Sequence, residues 1–138
     1  MHFTIFADGG SRGNPGPAGS GAIVRNGAGD AVLTVSHYIG TTTNNVAEYK
    51  AVIFALVGLA EYLGADASSA QVEVFMDSKL VVEQMSGNWK IKHPNMKPLA
   101  AEAMRAMREF ASVTFAHVPR EKNKDADALA NEAMDRGA

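Results

Sequence analysis

His2-Phe3-Thr4-Ile5-Phe6-Ala7-Asp8 opens the chain as an alternating strand that ends on a carboxylate. It runs straight into Gly9-Gly10-Ser11-Arg12-Gly13-Asn14-Pro15-Gly16-Pro17-Ala18-Gly19. Alternation puts Phe3, Ile5 and Ala7 on one face of the strand. An acid at a strand end, beside backbone with few side chains, suits a metal ion and a bulky polyanion approaching together. Glycine lets the main chain come close and adopt positive φ, and proline stiffens the loop.

Working outward from this stretch, Gly19 to Arg25 and Ala31 to Ile39 read as two further strands. They are joined by the Gly-rich turn Asn26 to Asp30, so the start of the chain is an antiparallel meander. After Thr41-Thr42-Thr43-Asn44-Asn45 the period changes, and Val46 to Leu63 is a long helix, apolar on most sides. Gly64 to Ala70 is a small-residue loop. Gln71 to Met76 alternates into Asp77 as strand 4, Ser78 to Ser86 is a short helix, and Pro94 and Pro98 bracket a break. Leu99 to Phe110 is helical, Val113 to Val118 is strand 5, and Asp125 to Met134 is a last helix with Ala126, Leu129, Ala130 and Ala133 on one stripe. This order predicts an α/β fold with a mixed five-stranded sheet, strands 1–3 antiparallel, flanked by helices.

The 138 residues fit one domain over 1–138 with a single core. The absence of cysteine excludes disulfides and thiolate metal sites and points to a reducing compartment, so a cytoplasmic location is expected, with no export signal. The longest apolar stretch, Ala51 to Ala60, is about half of what a bilayer crossing needs, so no membrane association is expected. The net charge of −2 does not announce a nucleic-acid binder. Its distribution says more: Gly87 to Pro98 carries Lys90, Lys92, His93 and Lys97 around Trp89 with no acid. Alone, that segment is equally a solvated loop with an anchoring Trp.

Four acids are placed to meet. Asp8 and Asp77 both end predicted strands, and they share a sheet edge if strands 1 and 4 are parallel neighbours. The competing role for Asp77 is the N-cap of the helix at Ser78. Glu48 lies on one stripe with Val52, Ala55 and Leu59, where a carboxylate is costly unless paired or bound to metal. Its alternative is a capping box with Asn45. Asp127 lies in the first turn of the last helix, favoured there by the macrodipole, and borders the stripe of Ala126 and Ala130. An oxygen-rich set without Cys or a close His pair suits Mg²⁺ or Mn²⁺ over zinc. Two such ions about 4 Å apart serve phosphodiester cleavage.

Four segments in order, Asp8 to Gly19, Thr43-Asn44-Asn45-Val46-Ala47-Glu48, Met76-Asp77-Ser78, and Asn123 to Asn131, together resemble ribonuclease H type 1 over nearly the full chain. The resemblance implies a ribonuclease H-like fold with Asp8, Glu48, Asp77 and Asp127 as catalytic ligands of two Mg²⁺ ions, Mn²⁺ being a substitute. The implied reaction is endonucleolytic hydrolysis of the RNA strand of an RNA–DNA hybrid, leaving 3′-hydroxyl and 5′-phosphate ends. Asn14, Asn44 and Asn45 match family positions lining the hybrid, and amides both donate and accept, as sensing a 2′-hydroxyl requires. Gly9 and Gly10 offer backbone contacts and Thr43 a phosphate contact. Without the resemblance, turn and cap chemistry is the preferred reading of the asparagines.

The sequence departs from the family pattern twice. The loop Val118 to Asn123 lacks the histidine that family members often carry there. Arg120 is the expected electrostatic substitute in catalysis, ahead of His117, although an Arg is no proton shuttle at neutral pH. The chain also lacks the extra helix and basic protrusion of some members, and has only the segment with Trp89, Lys90 and Lys92, so fewer phosphate contacts are expected. Double-stranded RNA as a further substrate, and a non-catalytic hybrid reader, are the competing readings. The retained acids speak against the reader. A monomer is expected.

Overall fold

The computed structural model describes residues 1–138 as strand β1 (His2–Ser11), β2 (Gly16–Asn26), β3 (Ala31–Thr42), helix α1 (Asn44–Leu63), β4 (Gln71–Met76), α2 (Lys79–Met85), α3 (Met96–Met107), β5 (Ser112–His117) and α4 (Lys124–Arg136). The predicted class and element order hold. The sheet runs β3-β2-β1-β4-β5. β1 pairs antiparallel with β2 and parallel with β4, and β4 pairs parallel with β5. The odd residues of β1, Phe3, Ile5 and Ala7, are buried in a core cluster with Val52, Leu56 and Leu59 of α1 and Ala100 and Ala103 of α3, as alternation requires.

Two boundaries move in a way that matters. β1 continues past Asp8 to Ser11 and β2 begins at Gly16, so most of the expected loop is paired strand, with Gly9 opposite Ser20 and Gly10 opposite Gly19. The glycines serve close packing. A Cβ on Gly9 would lie 2.2 Å from the Ala47 carbonyl carbon of α1, and one on Gly21 would lie 2.4 Å from the Ala126 oxygen of α4. Both helices therefore press their backbones directly on the strands. Pro98, expected before a helix, sits inside the first turn of α3, where a missing N–H leaves no bond unmade.

α1 with the 3₁₀ turn after it is long and apolar enough to cross a membrane by length and composition alone. Here it lies across the sheet, with Ala47, Tyr49, Ala51, Val52, Ile53, Ala55, Leu56 and Leu59 buried. α4 covers the other side of β2 and is tied down at both ends. Arg25 Nη2 pairs with Asp125 Oδ2 at 2.9 Å, and Arg136 Nη2 donates to Ser36 O at 2.7 Å.

Candidate active site

Parallel register brings the first two acids together. Ala7 pairs with Met76, so the next residues, Asp8 and Asp77, leave neighbouring strands side by side. Neither helix-start alternative forms. Ser78 caps α2, accepting from Val81 N at 3.4 Å, and Thr43 caps α1, accepting from Val46 N at 3.4 Å. Asp77 and Glu48 are thus released from capping. Oxygens of Asp8, Glu48 and Asp77 lie within 4.8 Å of one another. Asp127 lies outside this trio but lines the same cleft of about 380 Å³.

This arrangement is expensive without a cation. Burial, then the charge of Asp77, then the hydrogen bond and charge of Asp127 push the Asp8 carboxyl up to about 8. Burial, followed by the charges of Asp8 and Asp77, raises Glu48 well above the usual carboxylate range. The Gly9 N–H alone pulls both the other way. Glu48 Oε2 is shut off from solvent with no hydrogen-bond partner, a state an anionic oxygen tolerates only when paired or coordinating. An all-oxygen donor set of this charge fits a hard divalent cation, Mg²⁺ or Mn²⁺.

Residues to which the sequence reading gave no role of their own support the cleft. Asn123 is buried, and its Nδ2 donates to Ala7 O at 2.9 Å and to Asp77 Oδ1 at 3.4 Å. Facing two acceptors with its NH₂ leaves its own Oδ1 without a partner. Asn131 Nδ2 donates to Asp127 Oδ2 at 3.2 Å, and Arg12 lines the cleft while pairing with Asp135 at 2.6 Å. The signal for Asn123 in the sequence was its place at the start of the quoted segment Asn123 to Asn131, one turn before Asp127.

The expected substrate residues divide between two clefts. Gly9, Gly10, Asn44 and Arg120 line the acidic one. Asn14, Thr43, Asn45 and Lys90 line a second, of about 410 Å³, with Lys92 and His93. Between them, Ser11 N and Oγ donate to Asn44 Oδ1 at 2.8 and 2.9 Å, and Asn44 N donates to Asn14 Oδ1 at 3.1 Å. Long-range bonds linking β1, the loop after it and the start of α1 therefore occupy the carbonyl ends of Asn14 and Asn44, in place of local turn or cap bonds. Trp89 is exposed and lines neither cleft. His117 is exposed at the end of β5 and does not line the acidic cleft, whereas Arg120 does.

A family model described as reverse transcriptase-like matches residues 6–133. A ribonuclease H of Rhizobium johnstonii is 32% identical over 148 residues, covering 97% of this chain and 92% of that protein. The chain belongs to the ribonuclease H family. Within the type 1 ribonuclease H group, the crystal structure of LC11-RNase H1 in complex with RNA/DNA hybrid superposes with a TM-score of 0.91 at 46% identity, covering 97% of each chain. The bifunctional protein Rv2228c of Mycobacterium tuberculosis is 50% identical over 139 residues, which is all of this chain but 37% of that protein. The ribonuclease H fold is thus matched in full, while the chain spans little more than a third of the first curated relatives.

Proposed function

We propose that the protein is an endonuclease hydrolysing the RNA strand of RNA–DNA hybrids and leaving 3′-hydroxyl and 5′-phosphate ends. The observation that carries this reading is the buried, unpartnered Glu48 Oε2 grouped with Asp8 and Asp77 in an open polar cleft. Asp8, Glu48 and Asp77, with Asp127 at the rim, would hold two Mg²⁺ ions, or Mn²⁺ in their place, whose Lewis acidity serves the attacking water and the departing oxygen. The named relatives and the hybrid-bound neighbour support the substrate class.

The chain's own residues then orient the duplex. The ridge of Ser11, Asn14 and Asn44 separates the acidic cleft from the Lys90 cleft, so each receives one strand of a duplex. With their carbonyl ends bonded internally, Asn14 and Asn44 on this ridge present NH₂ donors to a 2′-hydroxyl of the RNA strand. Gly9 and Gly10 let the RNA backbone approach the acids. Thr43 and Lys90 hold a phosphate of the other strand, and the exposed ring of Trp89 lies against its deoxyribose. Arg120 at the cleft mouth places a permanent positive charge on a phosphate oxygen, and hands on no proton. The whole of 1–138 acts as one domain, as a monomer in the cytoplasm.

The test is one assay comparing labelled hybrid, RNA duplex and DNA duplex with Mg²⁺. Hybrid is cut on its RNA strand and DNA duplex is untouched. Asp77→Asn lowers turnover by at least about 10²-fold, the scale of losing transition-state charge stabilisation. Binding without cleavage under any divalent ion would establish a reader instead, and equal cleavage of RNA duplex would widen the substrate class.

A further inference from the structure

The segment from Gly87 to Asn95 carries the basic residues of the second cleft yet has no regular secondary structure. Its entry is held by Asn88 N and Trp89 N, both donating to Glu83 O, and its exit by Met96 N donating to His93 O. Between these points the main chain of Lys90, Ile91 and Lys92 makes no hydrogen bond to other main chain. Ile91 packs against the core and sets the depth of the strap. Asn88 Nδ2 donates to Glu83 Oε2 of α2 at 3.1 Å near its entry, and at its middle Gln84 Nε2 of α2 donates to Lys90 O at 3.5 Å.

Gln84 is 7% exposed, and its amide is used at both ends. Tyr49 Oη, fully buried on α1, donates to Gln84 Oε1 at 2.6 Å. The orientation follows from chemistry, because a backbone carbonyl only accepts and the phenol proton needs an acceptor. Tyr49 directly follows Glu48. The relay Tyr49–Gln84–Lys90 therefore runs from the helical turn bearing a cleft acid to the strap bearing the second cleft's charge.

We propose that Gln84 is a positioning residue: through Tyr49 and the Lys90 carbonyl it fixes the strap so that Lys90 and Lys92 meet one strand of the duplex while the acids meet the other. This rests on the hybrid-nuclease reading for its ligand, but not for its geometry. A core amide kept only for stability would leave substrate affinity alone when replaced.

Trp89 is the chain's one tryptophan and sits on the strap, so the free protein reports its order directly. In the full chain, Gln84→Met keeps the side-chain length and removes both bonds. We expect it to raise KM for hybrid about tenfold with kcat preserved, the consequence of one lost positioning bond. Acrylamide quenching of Trp89 and amide exchange at Lys90–Lys92 rise in the same variant. Tyr49→Phe, a milder change, moves all three readouts in the same direction by less. In the Asp77→Asn background, dissociation constants for hybrid follow the same order.

A folded Gln84→Met protein with unchanged KM and unchanged Trp89 quenching overturns the proposal. So does a lower melting temperature at unchanged KM, or a loss of kcat at unchanged KM. If Gln84→Met does not fold, the Tyr49→Phe readouts decide by the same criteria. Should the unmodified protein neither bind nor cut hybrid, the nuclease reading fails. Quenching and exchange in the free protein still decide whether the relay orders the strap.

Discussion

A carboxyl group that holds its proton to about pH 8 makes the fold sensitive to pH in an unusual direction. Asp8 is raised above its ordinary 3.8, so between those values the folded chain binds more protons than the unfolded one. Stability is then greatest below 3.8 as far as Asp8 is concerned, and declines until about pH 8. Glu48, raised by the same burial and repulsion, acts in the same sense. Chemical denaturation in EDTA should show the protein weaker at pH 8 than at pH 5.5 by roughly 1–3 kcal/mol. Added Mg²⁺ should stabilise more at pH 8 than at pH 5.5, because only ionised carboxylates bind it well. Equal metal stabilisation at both values would contradict the charge account. Asp8→Asn removes one of the repelling charges while keeping the shape. It should therefore abolish cleavage yet raise the melting temperature in EDTA, and it should lose most of the Mg²⁺ response. A calorimetric scan with and without Mg²⁺ checks both signs.

At the scale of elements, the fold depends on two helices lying unusually close to their strands, and glycine makes this possible. Gly21→Ala sets a Cβ 2.4 Å from both Ala126 O and Ala130 N, and neither backbone atom can yield without moving α4. We expect a loss of about 2–3 kcal/mol in urea denaturation, together with reduced turnover because Asp127 rides on that helix. Gly10→Ala is the control. Its Cβ meets only the flexible end of Met134 at 3.5 Å, so stability should stay within about 0.5 kcal/mol. The same glycines show where the sequence was opaque. Gly9 and Gly10 read as loop because glycine is disfavoured in strands, and nothing local reveals the α1 backbone pressed on Gly9. Thr43, Asn44 and Asn45 are three consecutive good N-caps, so the choice of Thr43 needed the bonds from Asn44 to Ser11 and Asn14. The strands, the long helix and the four acids were legible because each follows a period, ends one or, as with Asp127, borders an apolar stripe. Asn123 and Gln84 were not, since their partners Ala7 and Tyr49 are remote in sequence.

Over the whole molecule, a net charge of −2 means that attraction to a polyanion comes from a few placed cations against an unfavourable background. The acidic cleft adds to that background until metal is bound. Lys90, Lys92 and His93 gather at one cleft and Arg12 and Arg120 at the other, so phosphate contacts are few. Each phosphate neutralised in a duplex complex contributes roughly −0.9 to the slope of log affinity against log salt. Binding of hybrid by the Asp77→Asn protein should accordingly weaken with salt along a shallow line. Lys90→Ala should make that line shallower by about 1, with the same loss for every base sequence. Arg120→Ala should do likewise if it meets phosphate. Trp89→Ala should behave differently: an aromatic ring on a sugar releases no counterion, so it lowers affinity at every salt concentration and leaves the slope unchanged. Titrating labelled hybrid from low to moderate KCl separates these cases. A slope that changes with Trp89 but not with Lys90 would reverse the roles assigned to the two strap residues.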